Sequence, residues 1–288
     1  MADALDSLWD FGDPAASERR FRERLASTDG DERLEVLTQL ARAQGLQDRF
    51  DEAHQTLDQV ERSLGAAAPR VRVRHLLERG RAFRSGGRPA DALPLFVQAS
   101  ELASSAHESA LTLDAIHMVA ITSSDPDEQM RWHERGIRVA AADPGEGGPR
   151  WLPTLRNNLG WALFERGRLA EALDQFELAA AERRSAGDAK RIRIADWAVA
   201  RTLRALGRVS EALADQRRLL DEWRRDGVRP PYVNEEIGEC LLALGRADEA
   251  RPYFAEAYAL LSADRQVASS EPERVSRLAR LSLAAAET

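Results

Sequence analysis

The sequence predicts an all-α protein, an α-solenoid in which antiparallel helix pairs stack into a superhelix. Two observations lead to this fold class. Ala, Leu, Glu and Arg, which are all good helix formers, dominate the 288 residues, and alternating runs of Val, Ile and Thr are missing. In addition, a short phrase of glycine, arginine, two variable residues, an acid and alanine recurs along the chain, and such recurrence is typical of repeat architectures.

The recurring phrase is regularly spaced. It occurs in full at 87–92, 167–172, 207–212 and 245–250, and in a weaker form at 48–53. The alanines that close it are separated by 39, 80, 40 and 38 residues. Because 80 is twice 40, we expect a degenerate copy in the long gap, which gives six helix pairs in all.

Each copy of the phrase lies between two amphipathic helices. Residues 155–165 form an apolar-periodic helix before one copy, and Gly167 is suited to end it because glycine accepts a left-handed backbone. After that copy, Ala172, Phe176 and Ala179 fall on one face of a second helix. A single helix pair cannot bury such a stripe alone, so neighbouring pairs must stack.

This pattern predicts the organisation of the whole chain: an N-terminal tail, a packing helix, six repeat units, and a C-terminal capping helix with its own tail. The limits are 1–13 for the tail, 14–30 for the packing helix, 31–268 for the units (about 31–66, 70–104, 106–142, 150–187, 190–226 and 231–263) and 269–288 for the C-terminal part.

The repeat resembles the tetratricopeptide repeat (TPR). Leu159-Gly160 and Ile237-Gly238, followed by the spaced Gly, Ala and Phe described above, carry the resemblance over about residues 31–262. The period is near 40 residues rather than 34, and the usual closing proline is largely absent. Long repeats of this kind resemble those of kinesin light chain and of bacterial signal-sensing TPR regulators.

Composition excludes several classes of protein. The net charge of −7 argues against a nucleic-acid-binding protein. Cys240 is the only cysteine, so neither an intrachain disulfide nor a cysteine zinc site can form. Without a signal peptide or a run of 18 apolar residues, we expect a cytoplasmic protein with no membrane span. Lys190 is the only lysine among 41 basic residues, which we attribute to a GC-rich bacterial genome.

The motifs of catalysis are missing from the sequence. It has no glycine-rich phosphate loop followed by lysine and no nucleophile elbow. The histidines lie in different predicted helices, so we expect no metal site. His117 and His133 fall in the degenerate unit, where we expect them to pack against each other in place of the usual glycine and phenylalanine. We therefore predict a protein that is not an enzyme, with no catalytic residue and no cofactor.

The resemblance to TPR proteins implies a binding groove, because the first helix of each pair lines the concave face in TPR solenoids. We predict that ten side chains of the first helices bind the partner, namely Arg42, Arg81, Arg84, Asn157, Asn158, Trp161, Trp197, Arg201, Arg204 and Tyr232. Large aromatics and arginines are the usual anchors of binding surfaces. The two asparagines carry donors and acceptors for a peptide backbone, the role that groove asparagines have in kinesin light chain-type repeats.

Two alternatives stay open for these residues. Trp161 and Trp197 also suit ordinary packing between repeats, because tryptophan is often largely buried. The arginines also suit a solvated face or ion pairs with neighbouring acids. Seven arginines nevertheless lie between Arg70 and Arg88 beside a single acid, Glu78, and this basic strip favours an acidic partner.

The sequence thus predicts an interaction scaffold or adaptor that binds a peptide segment of another protein. The alternative is a ligand- or peptide-responsive TPR regulator that acts through a partner chain, and a third reading is an accessory subunit of an enzyme. Nucleic acid is disfavoured as a partner because most of the molecule repels phosphate. The sequence leaves a homo-oligomer open.

Overall fold

The computed structural model describes residues 5–143, 145 and 147–283, and these residues form helices and turns without a strand. The all-α solenoid class is therefore confirmed. The described helices are α1 (Pro14–Leu25), α2 (Gly30–Gly45), α3 (Phe50–Glu61), α4 (Pro69–Ser85), α5 (Pro89–Ser105), α6 (Ser109–Thr122), α7 (Pro126–Ala142), α8 (Gly147–Glu165), α9 (Leu169–Ala186), α10 (Ala189–Ala205), α11 (Val209–Arg225), α12 (Pro231–Ala243), α13 (Ala247–Ala263), α14 (Arg265–Ser270) and α15 (Pro272–Leu283). None of them is long and apolar enough to cross a membrane.

The turn between the two helices of a pair has one recurring geometry. Gly167 adopts a left-handed backbone with φ +71°, and the next amide, of Arg168, donates to the carbonyl oxygen of Leu163 at 3.0 Å. This arrangement satisfies a carbonyl that the end of α8 would otherwise leave unpaired. In the weaker copy Asp48 takes the same backbone conformation (φ 59°), which explains how that turn forms without glycine.

Within a pair, a small residue of the first helix receives a large residue of the second. A Cβ atom on Gly160 would lie 2.6 Å from the ring of Phe176, sixteen residues further on, so only glycine lets the ring pack this closely. The same contact recurs between Gly80 and Phe96 and between Gly238 and Phe254. All three rings are at most 1 % exposed, and each fills the space between its two helices.

The degenerate pair, α6 and α7, lacks this arrangement, because both of the corresponding positions hold small residues. The sixteen-residue register places Ala120 at the glycine position and Gly136 at the phenylalanine position. Our expectation that His117 and His133 take these two positions is therefore wrong. The register also places Trp132 where the other five pairs have their closing alanine. The large side chain of this pair is therefore Trp132, which lies one helical turn before the position that phenylalanine takes in other pairs.

The chain divides inside α8 into two compact units, one that ends at Leu155 (unit 1) and one that begins at Arg156 (unit 2). Unit 1 contains the pairs α2/α3, α4/α5 and α6/α7. Unit 2 contains α8/α9, α10/α11 and α12/α13, and its core continues through the buried Leu278 of α15. The limits of the six predicted repeat units remain our proposal.

The ends of the chain contact the solenoid. In the segment predicted as an N-terminal tail, Leu5 is buried and Trp9 stacks on Phe11 with ring centroids 4.7 Å apart. The indole Nε1 of Trp9 also donates to Oε1 of Gln39 at 3.1 Å, which holds this segment on α2. At the other end the short α14 precedes the predicted capping helix. Residues 1–4 and 284–288 of the two predicted tails lie outside the described residues.

Candidate functional site

The predicted site residues lie on the first helices of the pairs, and the two units present them differently. We call the surface of α2, α4 and α6 the unit 1 face. The unit 2 face is formed by α8 from Arg156 onwards, α10 and α12.

Charged side chains of the unit 1 face pair with one another. The guanidinium of Arg81 donates to both carboxylate oxygens of Asp114, at 2.5 and 2.6 Å, and to Oε1 of Glu78 at 2.6 Å. Arg42 approaches the same Glu78 carboxylate at 3.8 Å. Burial would raise the pKa of Asp114, but the charges of Arg81 and Arg42 outweigh it and hold that pKa below its usual value. Arg81 is thus engaged within the unit.

The basic strip on α4 is paired in the same way. The acids come from the helices on either side of it, and the pairs are Arg70 with Glu35 and Glu108, Arg74 with Glu35, Arg79 with Asp58 and Glu61, and Arg88 with Asp91. Arg84 donates instead to the carbonyl oxygen of Ile121 at 3.3 Å. The strip that looked basic in the sequence is therefore largely neutralised in the fold, which supports the ion-pair alternative for these arginines.

Three aromatic side chains form a row along the unit 2 face. Trp161 lies 5.9 Å from Trp197 between ring centroids, and Trp197 lies 6.2 Å from Tyr232. The indole of Trp197 donates to the carbonyl oxygen of Tyr232 at 3.2 Å, which fixes its orientation. Trp161 also packs edge-on against Phe176 at 4.8 Å, so it contributes to the core of its own pair. Tyr232 is the most exposed of the three, at 38 %.

Two arginines of α10 lie beside this aromatic row. The guanidinium carbon of Arg201 is 5.7 Å from the ring of Trp161 and 5.4 Å from that of Trp197, within the range of cation–π attraction. Arg201 and Arg204 both pair with the buried carboxylate of Glu236, at 3.3 and 2.7 Å. Both arginines therefore hold α10 to α12, and both remain partly exposed.

The asparagine pair lies on α8, one turn before Trp161. Nδ2 of Asn157 is 3.4 Å from Oδ1 of Asn158, and both side chains are half-buried. Their role in holding a peptide backbone remains a prediction.

An apolar cavity of about 520 Å³ opens at the end of the aromatic row, a volume typical of ligand pockets. It lies where the first half of α10, the end of α11 and the start of α12 meet. Its walls are formed by Lys190, Arg193, Ile194, Trp197, Trp223, Val228, Arg229, Pro230, Pro231, Tyr232 and Val233. The structure thus brings two of the predicted residues, Trp197 and Tyr232, into one cavity.

The three cations of this cavity differ in their partners. Arg193 pairs with Asp226 at 2.6 Å and stacks on Trp223, and Arg229 pairs with Glu256 at 2.6 Å. Lys190 is exposed, and its side chain makes no ion pair or hydrogen bond within the part of the chain that the structure describes. The cavity therefore combines an apolar wall with a positive charge that the described residues leave available.

Sequence reasoning missed Lys190 and Trp223 as site residues. The signal for Lys190 was present, since a single lysine among 41 basic residues is conspicuous, but composition alone does not locate it at a cavity. Trp223 belongs to a second helix, where the resemblance gave no reason to search. Pro230 precedes α12 and Pro231 begins it, and both prolines line the cavity together with Lys190 and Trp223.

Comparison with known families agrees with this architecture. Three family models, each described as a tetratricopeptide repeat, match residues 34–59, 154–186 and 198–265. Tetratricopeptide repeats therefore lie in both units. No curated protein matches its sequence.

Solved TPR structures resemble this fold at low sequence identity. A putative kinesin light chain protein with nearly identical TPR-like repeats, from Podospora anserina, superposes with a TM-score of 0.58 at 19 % identity, over 69 % of this chain and 99 % of that one. The apo form of the quorum sensor NprR from B. thuringiensis gives 0.68 at 14 %, over 96 % and 79 %. NprR in complex with its cognate peptide NprX gives 0.57 at 15 %, over 96 % and 82 %. These likenesses show the TPR fold.

Proposed function

We propose that this TPR protein is a non-catalytic scaffold or adaptor that binds a peptide segment of a partner protein on its unit 2 face. The observation that carries the proposal is the apolar cavity beside the aromatic row. Trp197 and Tyr232 form part of its wall, and partly exposed aromatics beside a cavity are frequent anchors of protein partners.

The chemistry of the cavity favours an acidic segment with a large apolar side chain. The apolar side chain would leave water for the wall formed by Ile194, Trp197 and Val228. Its neighbouring carboxylate would pair with Lys190, which has no acidic partner among the described residues. The unit 1 face is less suited to such a segment, because Arg81 already holds two carboxylates there.

A second candidate is a peptide-responsive regulator that acts through a partner chain. The likeness to NprR, one structure of which holds its cognate peptide, favours it. The two candidates share the binding site and differ in the response of the protein. Small-angle X-ray scattering would distinguish them, since a regulator changes its radius of gyration when the peptide binds, whereas a scaffold does not.

The single lysine allows a direct test of the binding site. Reductive dimethylation with formaldehyde modifies only amines, so Lys190 and the N-terminal α-amino group are the reactive positions of the chain. The probe is the capped peptide acetyl-Ser-Gly-Asp-Leu-Phe-Asp-Gly-Ser-amide, and a peptide with Asn in place of both Asp is its control. We expect the acidic peptide to slow modification of Lys190 at least about threefold, while the α-amino group reacts unchanged.

Two matched variants locate the protection. Ile194 and Leu178 are almost equally exposed, at 45 % and 44 %, but only Ile194 lines the cavity. Ile194→Glu should remove the protection of Lys190, and Leu178→Glu should keep it. Unchanged reactivity of Lys190 at saturating peptide, or equal loss of protection in both variants, would show that this cavity is not the binding site.

A further inference from the structure

Unit 1 contains a second cavity, between α5 and the degenerate pair α6 and α7. It encloses about 620 Å³ and is lined by Leu93, Pro94, Val97, Gln98, Glu101, Val119, Glu128 and Trp132. Most of these residues belong to α5 and α7, which are second helices. None of the predicted site residues lies in it.

The break in the repeat pattern accounts for this cavity. The five regular pairs have a buried alanine at the position that closes the phrase, and these alanines (Ala53, Ala92, Ala172, Ala212 and Ala250) are at most 1 % exposed. Trp132 follows Ala92 by 40 residues and precedes Ala172 by 40, so it takes that position in α7. An indole cannot fit the close helix contact that a methyl group makes. It lines the space beside α5 instead, with Leu93 and Val97.

The charge of this cavity is opposite to that of the unit 2 cavity. Its two ionisable lining residues are both acids, Glu101 and Glu128. Glu101 is exposed, and its carboxylate makes no ion pair or hydrogen bond among the described residues. Glu128 accepts a hydrogen bond from Ser123 at 3.2 Å and has Arg131 at 3.8 Å. Arg135 lies over the ring of Trp132 at 4.7 Å, so the indole already binds one guanidinium within the chain.

We propose that this Trp132 cavity binds a segment of a partner protein that presents a large apolar side chain flanked by arginine or lysine. The apolar side chain packs against Trp132, Val97 and Val119, and the cations pair with Glu101 and Glu128. The site is independent of the proposed unit 2 site in position and in charge. A TPR scaffold with both sites holds an acidic segment in one unit and a basic segment in the other.

Fluorine NMR on protein labelled with 5-fluorotryptophan tests both sites in one sample, because each of the six tryptophans gives its own resonance. Trp132→Phe, Trp197→Phe and Trp223→Phe assign the three that matter. The probe is acetyl-Ser-Gly-Arg-Leu-Phe-Arg-Gly-Ser-amide, and the same peptide with Asp in place of both Arg is the control. We expect the basic peptide to shift the Trp132 resonance in a saturable way and the acidic peptide to leave it unchanged.

Charge reversal at two exposed acids separates specific pairing from general attraction. Glu101→Arg should weaken binding of the basic peptide about fivefold, whereas Glu134→Arg, on α7 but outside the cavity, should change it less than about twofold. An unmoved Trp132 resonance, equal shifts with both peptides, or equal losses in the two variants would overturn the proposal. Movement of the Trp197 or Trp223 resonance with the basic peptide would also overturn it and would assign that peptide to unit 2.

Discussion

The faces of the two units share one repeat register but carry different side chains at some of its equivalent positions. In unit 1, Arg42 follows the small residue Ala41 and pairs with Glu78, two residues before Gly80. In unit 2, Arg201 follows Ala200 and pairs with Glu236, two residues before Gly238. One Arg–Glu contact between successive first helices therefore appears in both units at equivalent positions.

The difference arises at the neighbouring positions. Arg81 follows Gly80 in unit 1 and pairs with Asp114 as well as with Glu78. The charged side chains of this face are therefore occupied by one another. Trp161 follows Gly160 in unit 2, where its ring contacts that of Trp197. The residue after the small position of a first helix therefore carries a charge pair in one unit and an aromatic contact in the other.

Removal of Asp114 is the strongest test of the charge pairing on the unit 1 face. Asp114→Asn should lower the free energy of unfolding by about 3–5 kcal/mol, because Arg81, whose side chain is only 15 % exposed, would then keep a single carboxylate partner, Glu78. Urea denaturation followed by circular dichroism measures the change. Asp91→Asn is the control, since its pair with Arg88 is exposed and should contribute about 0–1 kcal/mol.

The close packing of the regular pairs, which both units share, gives the next largest effect. Ala172→Leu should destabilise the protein by about 1–3 kcal/mol, because Ala172 is fully buried and a larger side chain would strain the contact between α8 and α9. Ala181→Leu places the same change at an exposed position of α9 and should be nearly neutral. Equal thermal midpoints for the two variants would mean that the repeat register is misplaced.

His133, in the degenerate pair of unit 1, makes the largest histidine contribution to the pH dependence of stability. Burial, together with the charge of the nearby His117, lowers the pKa of His133 to about 4. The unfolded chain therefore takes up a proton near pH 6.5 that the folded protein takes up only near pH 4, so stability falls as the pH drops through this window. The free energy of unfolding should decrease by about 1–2 kcal/mol between about pH 7 and pH 5.

Histidine variants identify the source of that pH dependence. His133→Gln should reduce the slope of the stability profile over the same pH range, as followed by urea midpoints at several pH values. The slope that remains comes from His54, His75 and His117, because burial lowers their pKa values as well. His107→Asn provides a control at an exposed turn position, where asparagine tolerates the left-handed backbone (φ 57°). A profile that keeps its slope in His133→Gln would assign the effect to other groups.

The smallest effect is expected at the unit 2 face. Glu236 keeps Arg204 when Arg201 is replaced, so Arg201→Gln should lower the free energy of unfolding by roughly 1 kcal/mol, mainly through lost contacts with the two tryptophans. Urea denaturation again provides the measurement. If Asp114→Asn and Arg201→Gln cost the same, then the contrast between a charge-paired and an aromatic face is wrong.

The sequence by itself determined the architecture of this protein. The recurring glycines, alanines and phenylalanines specify helix ends and close contacts that depend only on local backbone conformation and on spacing along a helix. For this reason Gly167 and the contact between Gly160 and Phe176 were predictable. The spacing of 80 residues likewise indicates the degenerate pair, because a stacked solenoid keeps its period even where one copy loses the consensus residues.

Only the tertiary structure decided which of the charged residues have ion-pair partners within the fold. The arginines of α4 looked like a basic strip because their acids, such as Glu35, Asp58 and Asp114, are distant in sequence and meet them only through the stacking of helices. Lys190 is the opposite case, since stacking brings it to an apolar cavity and gives it no acid among the residues that the structure describes. Charge compensation in a solenoid depends on contacts between successive repeats, and the local pattern of a sequence does not contain them.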